Sequence, residues 1–178
     1  LPLVLEAYRI PAQGTKDYYA IEMLSTLLSK GQSSRLYKEI VDKQQKAVVL
    51  SSMNYAMEDP GLFIVYGITN MGVTPEDLEA VIETELNKVK EKTIDEQEFQ
   101  KLRNQIENDF VNSNSTMIGI ANALADYHVY FGDANLINTE IERYMKVTKE
   151  DIRDAAKKYL TPENRVVLYY LPKSAEKK

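Results

Sequence analysis

The sequence has no cysteine, a single histidine and only seven glycines. Without cysteine, disulfides and thiolate metal sites are excluded, and the compartment stays open, because such a chain suits periplasm and cytosol equally. With His128 as the one imidazole, an ordinary catalytic zinc site lacks ligands, since it needs three protein groups and usually more than one histidine. Asp126 and Asp133 lie nearby in sequence, yet a structural histidine at a helix end is the better reading of His128. The glycines form no phosphate-cradling loop, because Gly67 and Gly72 flank a strand end. Serine-nucleophile signatures are missing too. There is no Gly-x-Ser-x-Gly, and Ser34 with Lys38 misses Ser-x-x-Lys by one position.

Long hydrophobic runs are also absent. No apolar stretch approaches the roughly 20 residues of a membrane span, and the N-terminus shows no basic-then-apolar signal segment. Nor is there a surplus of basic charge: the net charge is −5, which argues against a nucleic-acid partner, whose phosphates require a basic face. Lys157-Lys158 and the run from Lys173 to Lys178 read as a solvated face and a charged tail.

What is present is a chain of 178 residues, 44% of them hydrophobic, enough to build the core of one domain over 1–172 with a charged tail at 173–178. It starts at Leu1-Pro2 and enters a strand directly, so a preceding segment of a longer chain is expected. Leu3 to Ile10 is apolar and β-rich and is closed by Pro11 and Gly14, which predicts a strand. Thr15 can cap a helix over Lys16 to Ser29, whose stripe of Ala20, Ile21, Leu24, Leu27 and Leu28, with Met23 beside it, recurs at helical spacing. Lys30-Gly31 stops that helix. A short helix capped by Ser33 or Ser34 follows.

Ala47 to Ala56 and Gly61 to Thr69 form a hairpin about the turn Met57 to Pro60. In the second strand Leu62, Ile64, Tyr66 and Ile68 share one face while Phe63 and Val65 take the other. Thr74, Thr93 and Thr148 each precede a carboxylate by three residues and mark helix starts. The second of these helices buries Phe99, Leu102, Ile106 and Phe110, breaks at Asn112 to Ser115 and resumes from Thr116 to Phe131. A further helix spans Ala134 to Met145, and the last ends before Pro162. Val166 to Leu171 is apolar throughout, which predicts a central strand or one covered on both faces. The order strand, two helices, hairpin, helices, strand predicts an α+β domain with a largely antiparallel sheet and helices on one face.

Carboxylate pairs such as Glu39 with Asp42, or Asp95-Glu96 with Glu98, lie at helix ends and read as capping and solubility residues. The tyrosine pairs Tyr18-Tyr19, Tyr127-x-x-Tyr130 and Tyr169-Tyr170 either line a peptide groove or rim a core, the rim being the commoner arrangement. No catalytic residue and no metal ligand emerges.

Several strings nevertheless recur in a telling order: Asp17 to Gly31, then Ser33-Ser34-Arg35-Leu36-Tyr37-Lys38-Glu39-Ile40, Asp59-Pro60-Gly61-Leu62-Phe63, Thr93 to Phe99, Val147 to Ile152 and Ala156 to Asn164. Together they resemble the C-terminal, non-catalytic domain of the pitrilysin (insulinase) family of zinc metallopeptidases, which includes the mitochondrial processing peptidase subunits. The resemblance covers Leu3 to Pro172. It implies two similar α+β halves that close around an unfolded peptide, with zinc on a His-x-x-Glu-His motif in the N-terminal half, a motif absent here. It also implies that Ser33, Ser34, Arg35, Leu36 and Tyr37 are a structural motif and that this domain binds no cofactor itself. Some family members carry a substrate-holding Arg, with a Tyr seven residues later, just after the Ser-Arg-Leu-Tyr string; here those positions are Val41 and Val48, so that role does not carry over.

The implied function is the wall and closing surface of a peptide-degrading chamber in a zinc metallopeptidase. The fragment alone would not be an enzyme. The implied partners are the N-terminal catalytic half of the same chain, an unfolded peptide substrate and, as a further option, a homologous subunit in a homo- or heterodimer. The alternative is a structural or assembly domain of a peptidase-like subunit without activity. Arg35 is expected to be structural, paired with a carboxylate or with carbonyls of the neighbouring helix.

Overall fold

A computed structural model describes residues 1–173. The order is β1 (Leu3–Ile10), α1 (Lys16–Ser29), a π-helix (Tyr37–Lys43), β2 (Ala47–Tyr55), β3 (Gly61–Thr69), α2 (Pro75–Glu91), α3 (Glu96–Ser113), α4 (Met117–Phe131), α5 (Leu136–Met145), α6 (Lys149–Tyr159), a 3₁₀ turn (Pro162–Asn164) and β4 (Arg165–Tyr170). The strands form one antiparallel sheet in the order β2-β3-β1-β4. This is the α+β arrangement that the sequence predicts. The charged tail beyond Lys173 lies outside the described residues.

Helices cover one face of the sheet. Because side chains alternate along a strand, Val4, Tyr8 and Ile10 of β1 and Phe63 and Val65 of β3 point to that face and are fully buried. Against them pack α1, α2 and α6, with α3 and α5 stacked on α1 from outside. The predicted stripe of α1 is all buried, Met23 included, and Thr15 caps the helix by accepting from the Tyr18 amide. Gly31 leaves it at φ +79°, a conformation open to glycine.

Four expectations are corrected. First, β4 is an edge strand, covered on one face only: Val166, Leu168 and Tyr170 are exposed while Val167 and Tyr169 pack toward the core. Second, neither Ser33 nor Ser34 caps a helix; Arg35-Leu36 begin a turn that widens into the π-helix, which carries no side-chain cap. Third, α3 is capped by Asp95, which accepts from the Glu98 amide at 2.8 Å, rather than by Thr93. Of the three predicted boxes only Thr148 with Asp151 is reciprocal. Fourth, Phe110 is only half-buried.

The covered face also holds charge. Glu6, at the centre of β1, is fully buried and accepts hydrogen bonds from the Tyr8 hydroxyl and from Arg165 Nη1, the latter at 3.3 Å. Arg165 in turn donates to Glu83 at 2.5 Å and Glu79 at 2.9 Å on α2, and the Tyr169 hydroxyl donates to Glu79. One guanidinium thus ties the edge strand β4 to β1 and to α2. Burial pushes the Glu6 carboxyl above the ordinary carboxylate range, and the hydrogen bond from Tyr8 and the charge of Arg165 oppose this incompletely.

A raised folded-state pKa contributes stability that is complete below the unfolded value, near 4.5, and is lost as pH rises through the folded value. The substitution Glu6→Gln should therefore gain stability relative to the natural chain as pH rises from about 4.5 towards 8. Urea unfolding midpoints across that range measure it. A difference independent of pH would show that Glu6 is ionised in the folded state without penalty.

Candidate functional site

The sheet face away from the helices is uncovered. The strand registers place its side chains in three cross-strand rows: Val49, Ile68, Leu3 and Tyr170; Ser51, Tyr66, Leu5 and Leu168; Met53, Ile64, Ala7 and Val166. Beyond them lie Tyr55, Leu62 and Arg9. Ser51, Arg9 and the tyrosine hydroxyls are the polar exceptions on an otherwise apolar surface. Tyr55, Leu168 and Tyr170 are more than half exposed, at 57%, 54% and 69%. Single exposed apolar residues are ordinary, but a contiguous sheet face of them marks an interaction surface. Among the described residues β2 and β4 are the edge strands, each with a strand neighbour on one side only. The clue in the sequence was the apolar character of both faces of β3 and the unbroken apolar run of β4; its meaning depends on which face the helices leave bare.

The segment from Gly31 to Leu50 leads onto one end of this surface. Arg35 forks onto Glu98 of α3, Nε to Oε1 at 2.9 Å and Nη2 to Oε2 at 2.5 Å, as expected for a structural arginine. Ser33 Oγ accepts from Lys101 Nζ at 2.6 Å, while the Ser34 hydroxyl is buried without a hydrogen-bond partner among the described residues. Leu36 and Ile40 are fully buried and Tyr37 is half-buried. Val41, on the π-helix, packs half-buried against the core. Val48 is the extra residue of a bulge between Ala47 and Val49 and is exposed beside the first row. Neither valine can donate a hydrogen bond.

Other sequence candidates lie apart from this face. His128 is exposed in the last turn of α4. Among the described residues no group of three or more His, Asp or Glu side chains is placed to hold a metal ion, so the donor set does not fit zinc. Glu39 pairs with Lys43 at 2.6 Å. The tyrosines divide between the two readings. Tyr19 is buried and donates to Glu140, whereas Tyr18, Tyr127 and Tyr130, joined by Tyr144, line a cleft of about 430 Å³ between α4 and the body of the domain. Glu22, at the adjoining floor, accepts from Asn54 at 2.7 Å and Tyr18 at 3.2 Å, and burial raises its carboxyl pKa.

A sequence profile of the peptidase M16 inactive domain matches residues 2–106. The chain belongs to that family. The pitrilysin-type resemblance carried by Ser33 to Ile40 and the later strings is thereby borne out. Among curated proteins, the zinc protease PqqE of Helicobacter pylori is 28% identical over 172 residues, 97% of this chain and 38% of that protein. An uncharacterised zinc protease of Streptomyces coelicolor is 26% identical over 145 residues, 80% of this chain and 31% of that one. The chain thus spans less than two-fifths of the curated relatives it matches. Among solved structures, a protease from Helicobacter pylori superposes with a TM-score of 0.90 at 27% identity, over 97% of this chain and 41% of that one. An inactive peptidase domain from Bordetella parapertussis gives a TM-score of 0.86 at 22% identity, covering 99% of this chain and 94% of the other, which shows the shared fold.

Arg35 and Glu98 are each about a quarter exposed, at 25% and 28%. Solvent screens such a pair, and the bidentate geometry partly compensates. Arg35→Met is expected to cost about 1 kcal/mol in urea unfolding, and Arg35→Lys should recover only part of it because an ammonium lacks the fork. Full recovery by lysine would mean that charge alone, without the fork, holds the segment to α3.

Proposed function

We propose that this chain is the non-catalytic half of a zinc metallopeptidase and forms wall and closing surface of a chamber that holds an unfolded peptide. The observation that carries the reading is the uncovered apolar face of the sheet in a domain of the M16 inactive family. An unfolded peptide presents side chains with the same alternating period as a strand, so three apolar rows offer it contact without requiring one sequence. The edge strands β2 and β4 offer backbone donors and acceptors as well. In this reading zinc is held by the N-terminal half of the same chain, and that half and the peptide are the partners. A homologous subunit completing a homo- or heterodimer is compatible with it. Val41 and Val48 contribute no polar grip on substrate, and the Ser33 to Tyr37 motif positions the segment.

The relatives described as zinc proteases, each much longer than this chain, support the zinc assignment. The purified chain should carry no stoichiometric zinc by elemental analysis. Stoichiometric metal lost in His128→Ala would overturn the assignment. In the longer protein, Ile64→Asp combined with Leu168→Asp should lower kcat/KM for an unstructured reporter peptide by about tenfold or more, equivalent to about 1.4 kcal/mol of lost binding, with zinc content unchanged. Zinc-free full-length protein without peptidase activity would instead support the alternative, a structural or assembly domain.

A further inference from the structure

The helix α4 is pinned near its two ends, and a cleft opens beneath it in between. In its first turn Gly119 lies against the Ser113 carbonyl, where a Cβ has no room, and in its last turn Phe131 sits so close to Gly14 that a Cβ there would fall 2.5 Å from the ring. Ala123, midway along the inner side, is too small to fill the space. The cleft, bounded by α1, α5 and the end of α3, has a volume of about 430 Å³, in the range of small-ligand sites. Tyr18, Tyr127 and Tyr144 are half-buried in its walls, and Tyr130, 48% exposed, completes the aromatic lining.

The charges in the wall are of one sign. Asp126 and Glu140 line the cleft, and among the described residues no lysine, arginine or histidine does. Glu140, on α5, is only 6% exposed. Its Oε1 accepts from the Tyr19 hydroxyl, while its Oε2 is buried without a hydrogen-bond partner among the described residues. Arg143 stands 3.5 Å from that oxygen and donates instead to the Tyr19 hydroxyl, at 3.0 Å. A buried carboxylate oxygen without a donor is costly, so a donor arriving through the cleft gains what the fold leaves unmet. Past Tyr127 and Tyr144 the cleft continues to Glu22 and to Asp109, which pairs with Lys30.

Aromatic rings offer the negative face of their π-systems and carboxylates a full negative charge, a combination that selects a cation with an apolar stem. Burial pushes the Tyr18 and Tyr144 hydroxyls well above the ordinary tyrosine range, so both stay neutral and the charge of the site is that of its carboxylates. A metal ion is a poor fit, because among the described residues no group of three or more His, Asp or Glu side chains is placed to hold one. We infer that the cleft beneath α4 binds an alkylammonium or guanidinium cation, its charge drawn to Glu140 and Asp126 and its aliphatic stem laid along Tyr18, Tyr127 and Tyr144. A basic side chain of a peptide and a free diamine carry this chemistry alike. The site is on the helical side of the domain, away from the bare sheet face, and does not rest on the peptidase reading.

The test titrates the chain with blocked lysine (N-acetyl, N-methylamide), its arginine counterpart and the uncharged norleucine analogue, followed by amide shifts in NMR. Shifts should centre on Tyr18, Ala123, Tyr127 and Tyr144, with the two basic compounds binding at least about tenfold more tightly than norleucine. Glu140→Gln, which keeps an acceptor for the Tyr19 hydroxyl, should weaken the basic compounds at least about tenfold and leave norleucine unchanged. Asp126→Asn and Tyr130→Leu, at exposed positions where folding is undisturbed, should each weaken them severalfold, and Tyr130→Phe should not. Tighter binding of putrescine than of blocked lysine would assign a free amine as the occupant and the reverse a basic side chain, and either supports a cation site. Equal binding of the norleucine and lysine compounds, shifts confined to other surfaces, or no shift at about 50 mM amine would overturn the inference. So would undiminished lysine binding by both Glu140→Gln and Asp126→Asn.

Discussion

Everything in this molecule depends on the sheet being covered on one side only. Burial of α1 against β2, with α2 and α6 beside it, removes Val4, Tyr8, Phe63 and Val65 from water and supplies the apolar free energy that orders the chain. The opposite face gains nothing from this layer. A strand's period of two then makes every second residue of β1, β3 and β4 face solvent whatever its chemistry. In an isolated domain those positions would ordinarily be polar. Here they are Leu5, Ile64, Tyr66 and Leu168, so their apolar character answers to something other than folding of this chain.

The buried polar groups serve the same division. The Arg165 guanidinium meets Glu6, Glu79 and Glu83 at the rim of the covered face. Such a network is weak as a source of net stability, because desolvation offsets most of the attraction. It is strong as a constraint on geometry: removing the arginine would leave three carboxylates facing one another. The edge strand β4, with few neighbours of its own, is thereby fixed in register against β1. Arg35 on Glu98 plays the matching part on the far side, holding the entrance to the π-helix against α3. Both arginines tie separate elements together through carboxylates.

Local chemistry carried most of the architecture. The α1 stripe, the Gly31 stop, the hairpin strands and the reciprocal cap of Thr148 with Asp151 each follow from a few neighbouring residues, and each lies where those residues predict. The cap of α3 was misplaced by two residues within one local turn, whereas the misreadings of β4 and of Ser33-Ser34 turn on contacts remote in sequence. Val166 to Leu171 looked doubly buried because hydrophobicity normally means burial, whereas its bare face shows only in the assembled sheet. Ser33 and Ser34 looked like caps until Lys101, from a distant helix, took the Ser33 hydroxyl and the turn widened into a π-helix. The candidate site was legible only in part. Both apolar faces of β3 were visible, but the rows that join them across four strands were not.

The same reasoning applies to α4, whose apolar face is turned away from the core. A helix with no fully buried residue is held by its caps, Thr116 accepting from the Gly119 amide and Gly132 at φ +69°, and by the contact of Phe131 with the β1–α1 loop. Those are modest interactions, each on the order of 1 kcal/mol. Keeping Met117, Ile118 and Val129 in water therefore works against the domain's own stability and solubility. The domain thus keeps two apolar surfaces in water, the flat outer face of the sheet and the narrow outer stripe of α4.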